Sequence, residues 1–463
     1  MLKRIDVYGQ RALILGLGRE GTATARYLAQ RGARVTVSDQ QDAQALQGFM
    51  EQLADLPVRY VLGGHPETLL PQADVIYVSP GVPQQLPLLV EARRRGIPIE
   101  SQTRMTFQLC RAPLIGITGS SGKSTTAALV AEILRADGRQ VHLGGNIGTP
   151  LLEIVEEIPP QAWVVMELSS FQLETLQQSP HIAAVLNLSP NHLDRHRSME
   201  AYLQAKANIL RYQSGDDHAI LGWDDARARS LSSEVRGRLS YFSRAQEVEW
   251  GAFLRGEWIV VRSAEGQSEV VRAAQVPLLG EHNLWNVLAA CAIAAAARAR
   301  VASMATAIQR FPGLEHRLEW VGEYRGVRYY NDSIATSPQR ATAALRAFVE
   351  PIVLVAGGRE KHLPWEEFAE LVMDRTRAVV LFGEATESIA RAIEGARQRS
   401  GGSGPVIRRA TNLELAVELA NSLAQPGDVV LLAPACTSFD LYRDFEERGQ
   451  HFKTLVRALG ETA

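Results

Sequence analysis

Two glycine-rich turns, each placed between an apolar strand and a helix, limit the architectures open to this chain more than any other feature. The first is Gly16-x-Gly18-x-x-Gly21, with a strand over 11–18 and a helix over 20–31. The second is Gly119-Ser120-Ser121-Gly122-Lys123-Ser124-Thr125, between a strand over 114–118 and a helix over 123–137. A strand that feeds a helix is followed by a strand parallel to the first, so such units build parallel sheets covered by helices. Apolar runs over 33–39 and 75–79 belong with the first turn, runs over 163–167 and 183–188 with the second, and runs over 352–356, 378–382 and 429–433 form a third group. The expectation is an α/β chain of three domains: a Rossmann-like domain over 1–101, a central P-loop ATPase-like α/β domain over 102–313, and a C-terminal Rossmann-like domain over 314–463. A length of 463 residues agrees, since it exceeds what one ordinary core supports. An irregular β-type stretch is expected over 240–276, an alanine-rich buried helix over 286–300 and a surface loop over 400–405.

Charge and composition exclude several classes of function. A formal net charge of −2 gives no ground for a nucleic-acid or anionic-membrane partner. The apolar run over 287–297 falls short of the ~20 residues of a membrane span, and no apolar signal core follows the N-terminus. Cys110, Cys291 and Cys436 are widely separated and odd in number, which fits a reducing, cytoplasmic setting and makes no metal cluster. Of 49 basic residues only five are lysine (3, 123, 206, 361 and 453), which leaves 44 arginines. Where arginine is used so freely, a retained lysine marks a task guanidinium cannot perform. Lys3 and Lys453, at the chain ends, read as incidental.

The first turn, with Asp39 closing the next strand, has the full dinucleotide-binding pattern: glycines admit a diphosphate to the backbone, and the helix N-terminus attracts it. On these residues alone a nicotinamide cofactor, another nucleotide and no ligand stand level, and an NAD-dependent oxidoreductase is one reading. The second turn narrows the choice. Its backbone N–H groups can cradle phosphates, Lys123 can reach the β- and γ-phosphates, and Ser124 can hold Mg²⁺. Its spacing departs from the general P-loop, because Ile117 stands five residues before Gly122. Glu167 ends a buried strand, where a further Mg²⁺ ligand belongs, and His192 also follows a strand end. Lys206, on a helix over 199–212, could add carbon dioxide to become a carbamate, an oxygen donor suited to Mg²⁺.

These residues resemble the Mur ligase family of peptidoglycan synthesis. The likeness is carried by 119–125, Glu167-Leu168-Ser169-Ser170-Phe171-Gln172-Leu173-Glu174, Asn191-His192-Leu193-Asp194-Arg195, Gly280-Glu281-His282-Asn283, Gly313-Leu314-Glu315-His316-Arg317, Asn331-Asp332-Ser333 and Pro434-Ala435-Cys436-Thr437-Ser438-Phe439-Asp440. It covers essentially the whole chain, in order. It implies an ATP-dependent carboxylate–amine ligase that adds D-glutamate to UDP-N-acetylmuramoyl-L-alanine through an acyl phosphate. A related ligase using another amino acid is the nearest alternative.

The resemblance also implies roles. Gly16, Gly18, Arg19, Ser79, Pro80 and Gly81, with Asn146, would hold the UDP substrate. Gly119, Ser120, Ser121, Gly122, Lys123, Ser124 and Thr125 would bind ATP, joined by Asn283, Asn286, Arg317 and Asp332. One Mg²⁺ would sit on Ser124 and Glu167, a second on His192 and carbamylated Lys206, making Lys123, His192 and Lys206 catalytic. Thr336, Lys361, Ser438 and Phe445 would hold the amino acid. No membrane insertion and a monomer are expected. Ser121 stands where asparagine is expected, and Ile334 where members carry a lysine near D-glutamate.

Overall fold

The computed structural model describes residues 6–148, 150–191, 193–361 and 363–461. The chain forms two compact units, Met1–Val276 with Leu284–Arg310, and Pro277–Asn283 with Phe311–Ala463.

Unit 1 holds two sheets. In the first, parallel strands lie in the order Val58–Leu62, Arg34–Asp39, Arg11–Leu15, Val75–Val78, Ile99–Glu100. The order reverses between Arg11–Leu15 and Val75–Val78. At such a point neighbouring connections leave to opposite faces and open a crevice at the carboxyl ends of the strands. Helix Arg19–Gln30 buries Ala23, Ala25, Tyr27 and Leu28 and presents its N-terminus there.

The second sheet has nine strands. Its parallel part runs Arg238–Ser243, His218–Gly222, Ile182–Val185, Leu114–Thr118, Trp163–Glu167, Val141–Gly145. Leu114–Thr118 and Ile182–Val185 are buried at every position, as strands covered on both faces must be. Helix Lys123–Ala136 is buried over most of its circumference, and Glu281–Ala296 is buried throughout Asn286–Ala294, so neither shows a polar face there.

The stretch over 240–276 is β-structure, as expected, but regular rather than irregular. Gly251–Arg255 pairs parallel to Arg238–Ser243, and Trp258–Ser263 and Gly266–Arg272 follow as antiparallel hairpin strands that extend the same sheet. The helix expected over 286–300 runs Glu281–Ala296 instead. It ends where Arg298 turns left-handed, with φ 58°. The strand expected over 183–188 ends at Val185; Leu186 N still donates to Thr118 O, after which the chain turns over the second glycine loop.

Unit 2 is one six-stranded sheet, ordered Glu319–Tyr324, Val327–Asn331, Val429–Leu432, Ile352–Gly357, Thr376–Phe382, Val406–Arg409, parallel except for the first pair. The strands expected over 352–356, 378–382 and 429–433 form its centre. Lys453 is not incidental. Its ammonium is buried in helix Phe445–Glu461 and bonds Glu319 at 2.6 Å and Glu315 at 3.2 Å. Lys3 lies outside the described residues. No described helix is long and apolar enough to cross a membrane.

Candidate active site

The second glycine loop leaves strand Leu114–Thr118 and enters helix Lys123–Ala136 at the carboxyl end of the nine-stranded sheet. Gly122 is left-handed at φ 82°, and a Cβ there would lie 2.1 Å from Asn286 Oδ1. Only glycine fits, and the same contact sets Asn286 against the loop. Asn187 holds the loop from the other side, its backbone O accepting from Ser120 N and its Oδ1 from Ser121 N, each at 2.9 Å. Lys123 folds over the turn, its Nζ 3.1 Å from Gly119 O and 3.4 Å from Ser120 O.

Three expected site residues converge beside this loop. Ser124 Oγ donates to Glu167 Oε2 at 2.6 Å. Glu167 ends strand Trp163–Glu167, paired with the loop's own strand, and its carboxylate is buried. Lys206 comes from helix Met199–Arg211, which Ser198 caps by accepting from Ala201 N. The helix turns Tyr202, Ala205, Lys206 and Ile209 inward, so Lys206 is 1% exposed. Its Nζ donates to Thr118 Oγ1 and Gly119 O, both at 3.0 Å. Burial, and then the nearby charge of Lys123, push its pKa well down, although Glu167 opposes this. Burial beside a cation shifts an amine towards its uncharged form, the form with a nucleophilic lone pair. His192 lies outside the described residues.

Among the described residues no group of three His, Cys, Asp or Glu could hold a metal. Transition-metal ligation is not what these donors suit. One carboxylate, one hydroxyl and an amine able to gain an oxygen terminus fit a hard cation that completes its shell with water and phosphate oxygens, as Mg²⁺ does.

The residues expected around a UDP substrate also meet. Ser79 Oγ donates to Gly16 O at 2.9 Å, and Leu17 N donates to Asp39 Oδ2 at 2.7 Å. A Cβ on Gly21 would sit 1.9 Å from Gly16 O, so the helix can approach the turn only at glycine. Arg19 donates to Gly148 O and Gly145 O, and Arg195 to the carbonyls of Pro80 and Gly81. Asn146 stands between the two clusters, its Nδ2 2.8 Å from Glu167 Oε1. Gly18 caps the helix N-terminus in extended conformation, without a side chain in front of its N–H groups.

Glu20, which the motif did not single out, lies in the same crevice. Gln172 Nε2 donates to its Oε1 at 2.7 Å, while its buried Oε2 has no partner in the structure. Burial pushes its carboxyl up to about 7, against the Gln172 hydrogen bond and the Arg19 charge. An acidic residue directly before the third glycine was the available signal.

In unit 2, Asp332 is buried and accepts from Leu318 N at 3.1 Å; burial pushes it up to about 6, opposed by that bond, Arg317 and Arg340. Asn283 Nδ2 donates to Leu279 O. Lys361 Nζ donates to Thr336 Oγ1 at 3.3 Å. Ser438 is buried and its carbonyl accepts from Tyr442 N, while Phe445 O accepts from Ser333 Oγ at 2.8 Å. Beneath them lies Arg448, fully buried. Its five N–H groups meet Ser333 Oγ and O, Gly357 O, Cys436 O and Thr437 O at 2.9–3.4 Å. No motif pointed to it, because one arginine among 44 carries no signal of its own.

Family models match the chain in three consecutive segments. Residues 10–101 match the family model "Mur ligase MurD-like, N-terminal domain", 117–294 the "Mur ligase middle domain" and 316–436 the "Mur ligase, glutamate ligase domain". The UDP-N-acetylmuramoylalanine–D-glutamate ligase of Symbiobacterium thermophilum is 46% identical over 97% of this chain and 98% of its own length. That of Geobacter metallireducens is 42% identical over 98% and 99%. Among solved structures, the UDP-N-acetylmuramate–alanine ligase of Thermotoga maritima superposes with TM-score 0.61 at 18% identity, covering 98% of this chain and 100% of that one. MurF of Acinetobacter baumannii gives 0.59 at 18%, covering 98% and 94%. At these identities the structural likeness bears on fold alone.

Proposed function

The chain belongs to the Mur ligase family, and from that premise we propose that it joins D-glutamate to UDP-N-acetylmuramoyl-L-alanine at the expense of ATP, in peptidoglycan precursor synthesis. The observation that carries the proposal is the convergence of the Gly119–Thr125 loop, Ser124, Glu167 and the buried Lys206 at one strand end. A dehydrogenase using the first glycine turn would leave all of these without a task.

A carboxylate is a poor electrophile, so the substrate carboxylate first attacks the γ-phosphorus of ATP. ADP leaves and an acyl phosphate remains. The amine of D-glutamate then attacks the acyl carbon, the amide forms, and phosphate departs with one former carboxylate oxygen. The protein's part is positioning and charge. Loop N–H groups and Lys123 hold the phosphates, with Asn286 against the loop. Asn283, Arg317 and Asp332 serve the nucleotide by the resemblance. Gly16, Gly18, Arg19, Ser79, Pro80, Gly81 and Asn146 hold the UDP substrate, and Thr336, Lys361, Ser438 and Phe445 the amino acid.

Ser124 and Glu167 would hold one Mg²⁺, and His192 with carbamylated Lys206 a second; the ions would neutralise phosphate charge. The amine of Lys206 attacks the carbon of carbon dioxide and releases one proton, leaving an N-bound carboxylate. A buried lysine whose pKa is pushed well down by burial and by Lys123 supports that assignment. The proposal extends to domain limits of 1–101, 102–313 and 314–463, a monomer and a cytoplasmic location.

Phosphate release from ATP, with Mg²⁺ and bicarbonate, tests the reading. Release that requires both UDP-N-acetylmuramoyl-L-alanine and an amino acid, with D-glutamate preferred across a panel, is the expected result. Release with a different preferred amino acid would move the specificity, and no release would discard the proposed reaction.

A further inference from the structure

The turn after strand Val327–Asn331 joins two cations through one hydrogen-bonded path. Ile334 O accepts from Thr336 N at 2.8 Å and from Arg340 Nη1 at 3.2 Å. Thr336 Oγ1, on the same turn, accepts from Lys361 Nζ at 3.3 Å. Arg340 arises in the first turn of helix Pro338–Leu345 and folds back across the turn, while Lys361 follows strand Ile352–Gly357. Both are exposed. They are close enough for the guanidinium to help lower the lysine's pKa, second to desolvation.

Two like charges set side by side are unfavourable unless an anion joins them. Among the described residues neither cation forms an ion pair, whereas neighbouring Arg346 and Arg359 are engaged by Glu367 and Glu384. Asp332, close enough for Arg340 to act on its pKa, is buried, bonded to Leu318 N and pushed up to about 6. Position 334 itself carries an apolar side chain, so the second positive charge at this turn comes from six residues further on. An exposed pair of cations, each with donors left over and without an internal carboxylate, is complementary to a ligand with two carboxylates.

We infer that Arg340 determines amino-acid specificity, forming with Lys361 a cradle for the two carboxylates of the substrate amino acid. The inference rests on the proposed glutamate-adding reaction and adds a residue to it. Beside Lys361 and the local hydroxyl groups, Arg340 supplies the charge that Ile334 lacks.

The test is steady-state kinetics of wild-type protein, Arg340→Gln, Arg340→Ala and Arg340→Lys with D-glutamate and with D-norvaline, which has the same carbon chain and one carboxylate. Glutamine keeps a donor for Ile334 O and loses the charge, so it separates substrate binding from support of the turn, and it stands in if the alanine variant does not fold. The expected result is a KM for D-glutamate raised about 10- to 100-fold in Arg340→Gln, the loss of one charge-assisted contact. The KM values for ATP and the UDP substrate stay within about twofold. Preference for D-glutamate over D-norvaline falls by the same factor, and Arg340→Lys recovers part of it. A D-glutamate KM unchanged in Arg340→Gln, or all three KM values rising together, overturns the inference while leaving the reaction standing. Wild-type protein inert towards D-glutamate overturns the reaction, and the inference with it.

Discussion

At the scale of single residues, scarcity was the informative quantity. Lys123 and Lys206 were both legible because lysine is rare in this chain, and both lie at the second glycine loop. Glu20 and Arg448 were not legible, since what distinguishes them is burial, which composition does not record. Lys206→Arg replaces an amine able to take up carbon dioxide with an always-protonated group. The variant is expected to lose about 10²–10³-fold in kcat. A ¹³C carbamate resonance should appear on adding labelled bicarbonate to wild-type protein and be missing from the variant. An arginine variant with wild-type turnover would rule the carbamate out.

Glu20 makes a separate prediction for the ligand-free protein. Its folded pKa, about 7, lies above the ordinary 4.5. Its contribution to stability is therefore fully present below about pH 4.5 and is lost as the pH rises towards 7. At 1.36 kcal/mol per unit, the loss is about 3 kcal/mol. Denaturant unfolding from pH 5 to 8 should show this decline in wild-type protein and a shallower one in Glu20→Gln. Parallel pH profiles would contradict it.

At the scale of elements, buried parallel strands were readable from continuous apolar runs, and Leu114–Thr118 and Trp163–Glu167 fall where those runs stand. The hairpins from Gly251 to Arg272 were not, because their short strands carry charged residues at most turns and edges, as in Arg255-Gly256-Glu257 and Ser263-Ala264-Glu265. The structural role of helix Phe445–Glu461 was equally hidden. Through Arg448 it ties together the loops that follow three strands, those ending at Asn331, Gly357 and Leu432. Burying a guanidinium costs several kcal/mol, offset here by the satisfaction of all five N–H groups. Arg448→Met leaves these acceptors unpaired and should destabilise the protein by about 3–5 kcal/mol in denaturant unfolding. Arg448→Lys should recover little, since an ammonium cannot span both sides of the fork. Wild-type stability in either variant would show the knot to be dispensable.

At the scale of the whole molecule, three sheets built on parallel strands were foreseeable from two glycine turns and a third group of apolar runs, and the described residues form three, one wholly parallel and two with antiparallel strands at an edge. In unit 1 the glycine turn of the five-stranded sheet and the glycine loop of the nine-stranded sheet are linked by short contacts. Arg19 reaches Gly145, Asn146 reaches Glu167, and Gln172 reaches Glu20. These long-range pairings were not readable from one sequence, because spacing along the chain does not reveal which strand ends face each other. They give a physical basis for one bound substrate to lie near one bound nucleotide, which is what phosphorylating a carboxylate requires.

The most direct test of that chemistry is isotopic. UDP-N-acetylmuramoyl-L-alanine carrying ¹⁸O in its free carboxylate would be turned over with ATP and D-glutamate, and the released phosphate analysed by mass. Activation through an acyl phosphate predicts one ¹⁸O atom in each phosphate formed. Phosphate without the label, at the same turnover, would mean that the carboxylate never attacks the γ-phosphorus.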